Sequence, residues 1–314
     1  MNLEWRPTLL HLSIVLALFS LYQFLPEYHS GNLARILVLC VYAMGFNILF
    51  GYTGLLSLGH ALFFSAGMYG LGLSIQFFGF SPIPAMLAGL VTALVFSVVI
   101  GFLALRTTGV AFMIVTLMFA QAGYLTILAA GTYTRGDEGF VIKQAERMLF
   151  GIDLTAADNR YYFAVILFSI CFLLLWMVVR SGYGRTLIAI RENEERAIML
   201  GYDVQRYKLI AVVLSGVLAG CSGAAYALLF GYAGATFATV QYSILPLLWV
   251  LVGGAGTTIG PLIGTVFMFY LIDYASEFTS AYMLIAGVVL IVVTLFAPQG
   301  LAGVLRKRLM PWLP

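Results

Sequence analysis

Charge is what this sequence has least of. Only 9% of its 314 residues are Asp, Glu, Lys or Arg, while 62% are hydrophobic. An ordinary soluble domain carries roughly 25% charged residues, so a water-soluble globule is excluded. The net charge of only +3 gives no electrostatic footprint for nucleic acid. Histidine and cysteine are scarce as well. His11, His29 and His60 are scattered and form no convergent His/Asp/Glu or Ser/His set of the kind a membrane-embedded enzyme needs. Cys40, Cys171 and Cys221 lie inside apolar runs without paired spacing, so neither a disulfide framework nor a metal site is favoured. A phosphate-cradling G-x-x-x-x-G-K-[ST] loop is also missing. The nearest stretch, GAGTTIGP at 254–261, lacks the lysine.

What the chain has instead is apolar runs of membrane length. A membrane-spanning helix takes about 20 apolar residues. Ten candidates follow, at about 8–25, 33–50, 60–78, 82–103, 110–129, 161–179, 208–230, 242–254, 259–275 and 281–297. Several are short or broken by glycine, which gives 8–10 spans in an all-α polytopic membrane protein forming one domain over 1–314. The stretch Leu9 to Leu25 is followed by Pro26-Glu27-Tyr28 rather than by a small-residue cleavage site, and reads as a retained first span. Lys and Arg are expected to collect in cytoplasmic loops. With both termini in the cytoplasm, eleven of the sixteen fall inside and five outside, namely Arg35, Arg135, Lys143, Arg147 and Arg160.

Two hydrophilic segments interrupt the spans. The outer one, 131–160, carries both charge signs and is expected to form a small helix-containing cap. The inner one, 180–207, contains ENEERAIMLGYD from Glu192. Acidic residues at its start and Gly201 at its end predict a short helix, with Glu192, Glu195, Arg196 and Met199 toward one side and Ile190, Ala197, Ile198 and Gly201 toward another. Such a helix either lies on lipid headgroups or docks a soluble partner. Four carboxylates would sit badly on an anionic leaflet, which favours the partner.

The run Glu195–Gly201, ERAIMLG, resembles the E-A-A-x-x-x-G motif of ABC-importer permeases, with Arg196 where alanine is common and Ala197 and Gly201 in place. RTLIAIRENEERAIMLGYDVQRYKLIAVVLSGVLAGCSGA (185–224), GYTGLLSLGHALFFSAGMYG (51–70), GGAGTTIGPLIGTV (253–266) and FAPQGLAGVL (296–305) resemble the LivM-type permease subunits of the branched-chain amino acid ABC importer family. The resemblance implies a multi-pass protein of the inner (cell) membrane, surrounded by lipid, that moves branched-chain amino acids or similar small polar solutes. Its implied partners are a second, LivH-type permease subunit, cytoplasmic ABC ATPase subunits that hold ATP and magnesium, and an extracytoplasmic solute-binding protein. No cofactor is expected on this chain, and it is not expected to be an enzyme.

Candidate residues follow. Arg191, Glu194, Glu195, Ala197 and Gly201 are expected to receive the motion of the ATPase. TRGDEGF (134–140) resembles the family's T-G-G-x-D-G region and makes Arg135, Asp137 and Glu138 candidates for contact with the binding protein. A solvated loop is the plain alternative. Glycine-rich breaks in the two halves of a membrane chain point to a central site. Here they comprise Gly51, Tyr52, Gly54, Ser57, Gly59 and His60, with nearby Asn47, in the first half, and Gly254 and Gly256 in the second. Two roles stay open for His60, a structural hydrogen-bonding one and a place on the translocation path. Gly216 and Gly220, and Gly256, Gly260 and Gly264, have the four-residue spacing of close helix packing. An ion-coupled carrier acting alone is the competing function, and it would need an intramembrane carboxylate, for which Asp273 is the candidate.

Overall fold

A backbone in hydrocarbon must satisfy its own hydrogen bonds, so long apolar runs become helices. The computed structural model describes residues 5–308, and side chains over 8–304. In chain order its helices are α1 (Trp5–Leu21), α2 (Glu27–Asn47, extended by a π-helical turn Ile48–Tyr52), α3 (His60–Phe78), α4 (Pro82–Ala104), α5 (Gly109–Ala129), α6 (Gly131–Thr134) and α7 (Ala157–Arg180). They continue with α8 (Gly182–Glu192), α9 (Glu194–Met199), α10 (Val204–Phe230), α11 (Val240–Gly253), α12 (Gly260–Phe278), α13 (Tyr282–Phe296) and α14 (Gly300–Arg308). Each of the ten apolar segments read from the sequence coincides with a helix.

Seven helical segments among the described residues are long and apolar enough to cross a membrane, the last of them, Tyr282–Val304, running from α13 into α14. α1 and α11 are apolar but shorter, and Asp273 and Glu277 lower the hydropathy of α12. Burial sorts the seven. In α2, 89% of the apolar window is buried inside the protein, against 11% in Tyr282–Val304. Thus α2, α3 and α10 form the centre, while α4, α5 and α13 show broad apolar faces outward. The four-residue glycine spacing does serve packing in α10. A Cβ on Gly220 would overlap that of Ala93 in α4, and one on Gly67 of α3 would overlap the Gly220 carbonyl. Three backbones meet there because no side chain intervenes.

Hydrogen bonds sort the connections into two ends. At one end β1 (Phe140–Val141) pairs antiparallel with β4 (Tyr232–Ala233), and Tyr28 Oη donates to Asp273 Oδ2 at 2.8 Å. The segment 131–160 is therefore more than a helical cap. Besides α6 it holds β1 and a second ribbon of β2 (Met148–Leu149) and β3 (Ile152–Asp153). Arg147 anchors it by donating to the carbonyls of Leu228 and Leu229 at the end of α10, where cations are favoured. Burial pushes the pKa of that guanidinium down. At the opposite end, the connections 53–59 and 254–259 meet the 181–203 segment.

Candidate functional site

The two glycine-rich connections are bound to each other by one side chain. Asn47, fully buried in the last turn of α2, donates from Nδ2 to the Thr257 carbonyl at 2.9 Å. Its Oδ1 accepts from the Gly256 N–H at 2.9 Å. The amide thus serves both sides of a chain segment more than 200 residues away, satisfying two backbone groups that irregular backbone would otherwise leave unpaired. The approach demands glycine. A Cβ on Gly51 would overlap Asn47 Oδ1 and lie 2.5 Å from Gly256 N, and Gly256 itself sits at φ +76°, a region costly for any side chain.

Arg191, in the last turn of α8, brings the 181–203 segment into this node. Its Nη1 donates to the Gly51 carbonyl. Its stem lies against Gly54, and a Cβ on Gly256 would stand 2.9 Å from Nη1. Two cavities open on either side of Arg191. One, of about 490 Å³, runs between Thr53–Leu56, Thr107–Val110 and the Glu192–Glu194 corner. The other, of about 810 Å³, is lined by Ile188, Glu192, Gly256, Thr257 and Gln299 among others. A single arginine therefore bridges one helix of the inner segment and both breaks.

Two hydroxyls of the first break bond nearby backbone. Ser57 Oγ accepts from Gly59 N at 3.2 Å, and Thr53 Oγ1 donates to the Leu49 carbonyl. Two other N–H groups are met from distant helices, Leu58 N by Thr116 Oγ1 of α5 at 3.2 Å and Ala61 N by Ser243 Oγ of α11 at 2.9 Å. Sequence reasoning missed Thr116, Ser243 and Thr257. The only signal for Thr116 and Ser243 is a lone hydroxyl in an apolar run, while Thr257 lies within the second glycine-rich stretch and is bonded through its backbone carbonyl.

His60 does not pair with freed backbone. The Ser215 hydroxyl has one hydrogen, and it goes to the Gly45 carbonyl at 2.6 Å. The 2.6 Å contact between Ser215 Oγ and His60 Nε2 therefore makes His60 the donor and fixes the Nε2–H tautomer. Nδ1 is buried with no partner among the described residues, and the ring is enclosed by Phe46 at 4.9 Å and Phe63 at 5.7 Å. Ser215→Ala would orphan the Nε2–H and is expected to destabilise the fold by about 1–3 kcal/mol, read as a lowered thermal midpoint in detergent. An unchanged midpoint would contradict this role.

The inner segment differs from the single helix expected from Glu192. Glu192 closes α8, and Asn193 starts α9, its side chain accepting from Arg196 N at 2.8 Å. Asn193 is an N-cap residue, whose carbonyl oxygen replaces a missing helical acceptor, so α9 starts two residues later than the acidic run suggests. Ala197 is buried against Ile190, Val204 and Tyr207, which removes it from the outward face. That face is Ile198, Met199 and Leu200 instead, Met199 being 82% exposed. Glu194 Oε2 pairs with the buried Lys208 Nζ at 2.6 Å, Glu195 is exposed, and Gly201 ends the turn at φ +86°. At the other end of the bundle Arg135, Asp137 and Glu138 are all exposed. Asp273, the carboxylate an ion-coupled carrier would use, is engaged there by Tyr28 and Asn32. No group of three or more His, Cys, Asp or Glu that could hold a metal ion exists among the described residues.

Comparison with known proteins shows the family. The family model described as branched-chain amino acid transport system / permease component matches residues 30–294. The high-affinity branched-chain amino acid transport system permease protein LivM of Salmonella typhimurium is 25% identical over 325 residues, covering 96% of this chain and 76% of the relative. LivM of Escherichia coli is 25% identical over 297 residues, covering 87% and 69%. The autoinducer 2 import system permease protein LsrC of Klebsiella pneumoniae is 30% identical over 99 residues, covering 30% and 28%. No solved structure matches. The chain belongs to the family of branched-chain amino acid transport permease components, multi-pass proteins of the inner membrane.

Proposed function

We propose that this chain is one of two permease subunits of an ATP-driven importer, carrying branched-chain amino acids or related small polar solutes inward. The second subunit is a LivH-type homologue. ATP and magnesium are held by separate cytoplasmic ATPase subunits, and solute is delivered by an extracytoplasmic binding protein at Arg135, Asp137 and Glu138. In this reading ten helices cross the membrane with both termini in the cytoplasm, and 1–314 acts as one domain. The connections 53–59, 181–203 and 254–259 then lie at the cytoplasmic end. The observation that carries the proposal is the Arg191 bridge, which gives a partner pressing on α8 and α9 a direct hold on both glycine-rich breaks. The exposed Ile198, Met199 and Leu200 supply an apolar docking surface beside Glu195, since buried apolar anchors carry most binding energy at such interfaces.

Reconstitution tests it. Vesicles holding the two permease subunits and the ATPase are expected to take up L-leucine, used as the probe, only with ATP and binding protein present. Uptake by this chain alone, driven by a proton or sodium gradient, would overturn the reading. Gly201 offers a finer test. No atom lies within 4 Å of its missing Cβ, so a large side chain meets only backbone strain of about 1–2 kcal/mol on this side of the interface. Gly201→Trp is expected to abolish uptake by obstructing docking while capture of solute by the binding protein continues. Wild-type uptake would remove Gly201 from the docking surface.

A further inference from the structure

Three of the five basic residues assigned to the outer side converge on one place, against the general depletion of Lys and Arg there. They surround Phe230, the last residue of α10. The Arg35 guanidinium, from α2, lies 4.9 Å from the ring centroid, and that of Arg160, from α7, lies 5.7 Å away. Arg147 is fully engaged by the Leu228 and Leu229 carbonyls. The other two are not. Arg35 has no hydrogen bond or ion pair within the described residues, and its Nε is buried without a partner. Arg160 donates from Nη2 to the Thr155 carbonyl at 2.5 Å, and its Nε is likewise buried and unpaired. Asp158, two residues before Arg160 on α7, is exposed and pairs with neither arginine, and the other nearby carboxylates are committed elsewhere. Asp153 takes Gln144 and Thr155, Glu146 takes the Lys143 N–H, and the ion pairs among the described residues all lie in the 194–208 region.

Cation–π contact offsets part of the cost of two partly buried guanidiniums, yet it leaves the two Nε–H groups without acceptors, which is costly. Two such forks on one ring complement a planar oxyanion that can accept from both. From Phe230 a column of rings runs into the bundle, through Tyr226 at 4.7 Å, then Phe237 and Tyr242 at successive spacings of 5.1 Å. An apolar side chain attached to such an oxyanion would have a surface to lie on.

We infer that Arg35, Arg160 and Phe230 form a carboxylate-reading site at the outer end of the permease, which takes the carboxylate of a small amphipathic acid as it enters. This rests on the importer reading for its direction of transport, and on the arginine geometry alone for its ligand chemistry. An amino acid offers the carboxylate together with an apolar side chain for the rings, whereas a lipid headgroup offers a phosphate.

The test reads the two arginines directly in the assembled permease–ATPase complex in nanodiscs, by phenylglyoxal modification and mass spectrometry. Isovalerate and L-leucine at saturating concentration are expected to lower modification of Arg35 and Arg160 severalfold, without changing Arg135. Isoamylamine, which keeps the apolar group and lacks the carboxylate, is expected to give no protection. Absence of protection by isovalerate, or equal protection by isoamylamine, would overturn the proposal. So would protection caused by phosphatidylglycerol in place of phosphatidylcholine and unaffected by isovalerate, which would make a lipid phosphate the occupant. The readout needs neither ATP nor uptake, so failure of the importer reading would leave it intact. Arg35→Gln with Arg160→Gln is expected to raise the KM for uptake severalfold. An unaltered KM would count against the site.

Discussion

Replacing Arg191 with alanine is expected to reduce solute uptake by about tenfold to a hundredfold while ATP hydrolysis by the assembled complex continues. The expected size follows from the bond. A hydrogen bond to a charged group contributes about 1.5–3 kcal/mol, and each 1.4 kcal/mol is a factor of ten in an equilibrium. Arg191 is partly open to solvent, but its Nη1 donates to the Gly51 carbonyl, its stem lies against Gly54 and Nη1 stands beside Gly256. Without it, α8 still packs through Leu187 and Ile190, which are buried, so the ATPase would dock and turn over. The motion would end at α8. Arg191→Lys is expected to recover only part of the loss, because an ammonium on a flexible stem cannot reproduce the planar fork. Parallel loss of hydrolysis and uptake would mean that Arg191 belongs to the docking surface instead. Full retention of both would mean that it transmits nothing.

The second large effect is on the node itself. Asn47→Leu conserves volume but removes the donor to the Thr257 carbonyl and the acceptor for the Gly256 N–H. Two buried backbone groups then lack partners, at about 1–3 kcal/mol each, a large fraction of the 5–15 kcal/mol by which folded proteins are stable. Asn47→Asp is informative because it keeps an acceptor for Gly256 but turns a carboxylate oxygen toward the Thr257 carbonyl, and it is expected to be no better than leucine. Gly51→Val acts on the same contact from the other side. Its Cβ would meet Asn47 Oδ1 and Gly256 N, and backbone cannot yield as a flexible side chain does. All three variants are expected to lower the thermal midpoint and the amount of protein recovered from membranes. Asn47→Leu with wild-type stability would show that the two breaks are held together by something other than this amide.

These residues also mark how far the sequence could be read. The apolar helices were legible because long apolar runs have few alternatives, and the breaks at 51–60 and 253–261 stood out because glycines and hydroxyls interrupt those runs. Asn47 and Arg191 were legible as individuals and not as partners. Nothing local states that an amide at 47 meets backbone at 256 and 257, or that an arginine at 191 turns inward, since both depend on how α2, α8 and α11 are arranged in space. α9 starts at Glu194, two residues after the expected Glu192, because carboxylates near a helix N-terminus are a broad signal, while an asparagine cap is a narrow one. Ala197 was placed on the docking face by motif position, but the face is set by what packs beneath it, and Ala197 is what packs. The pairing of β1 with β4 had no signal, each strand being only two residues long.

The central claim is that α8 and the two breaks move as one body when nucleotide binds, and a pair of distances tests it most directly. The three native cysteines are buried, so spin labels can be placed at chosen sites after their replacement. One pair joins Glu192 to Ala255, across the Arg191 bridge; the other joins Glu192 to Val110, across the 490 Å³ cavity. Measured in the full importer with and without ATP and vanadate, the first distance is predicted to stay constant while the second changes. A changed first distance beside a constant second would contradict the account, since α8 would then move with α5 and leave the glycine breaks behind.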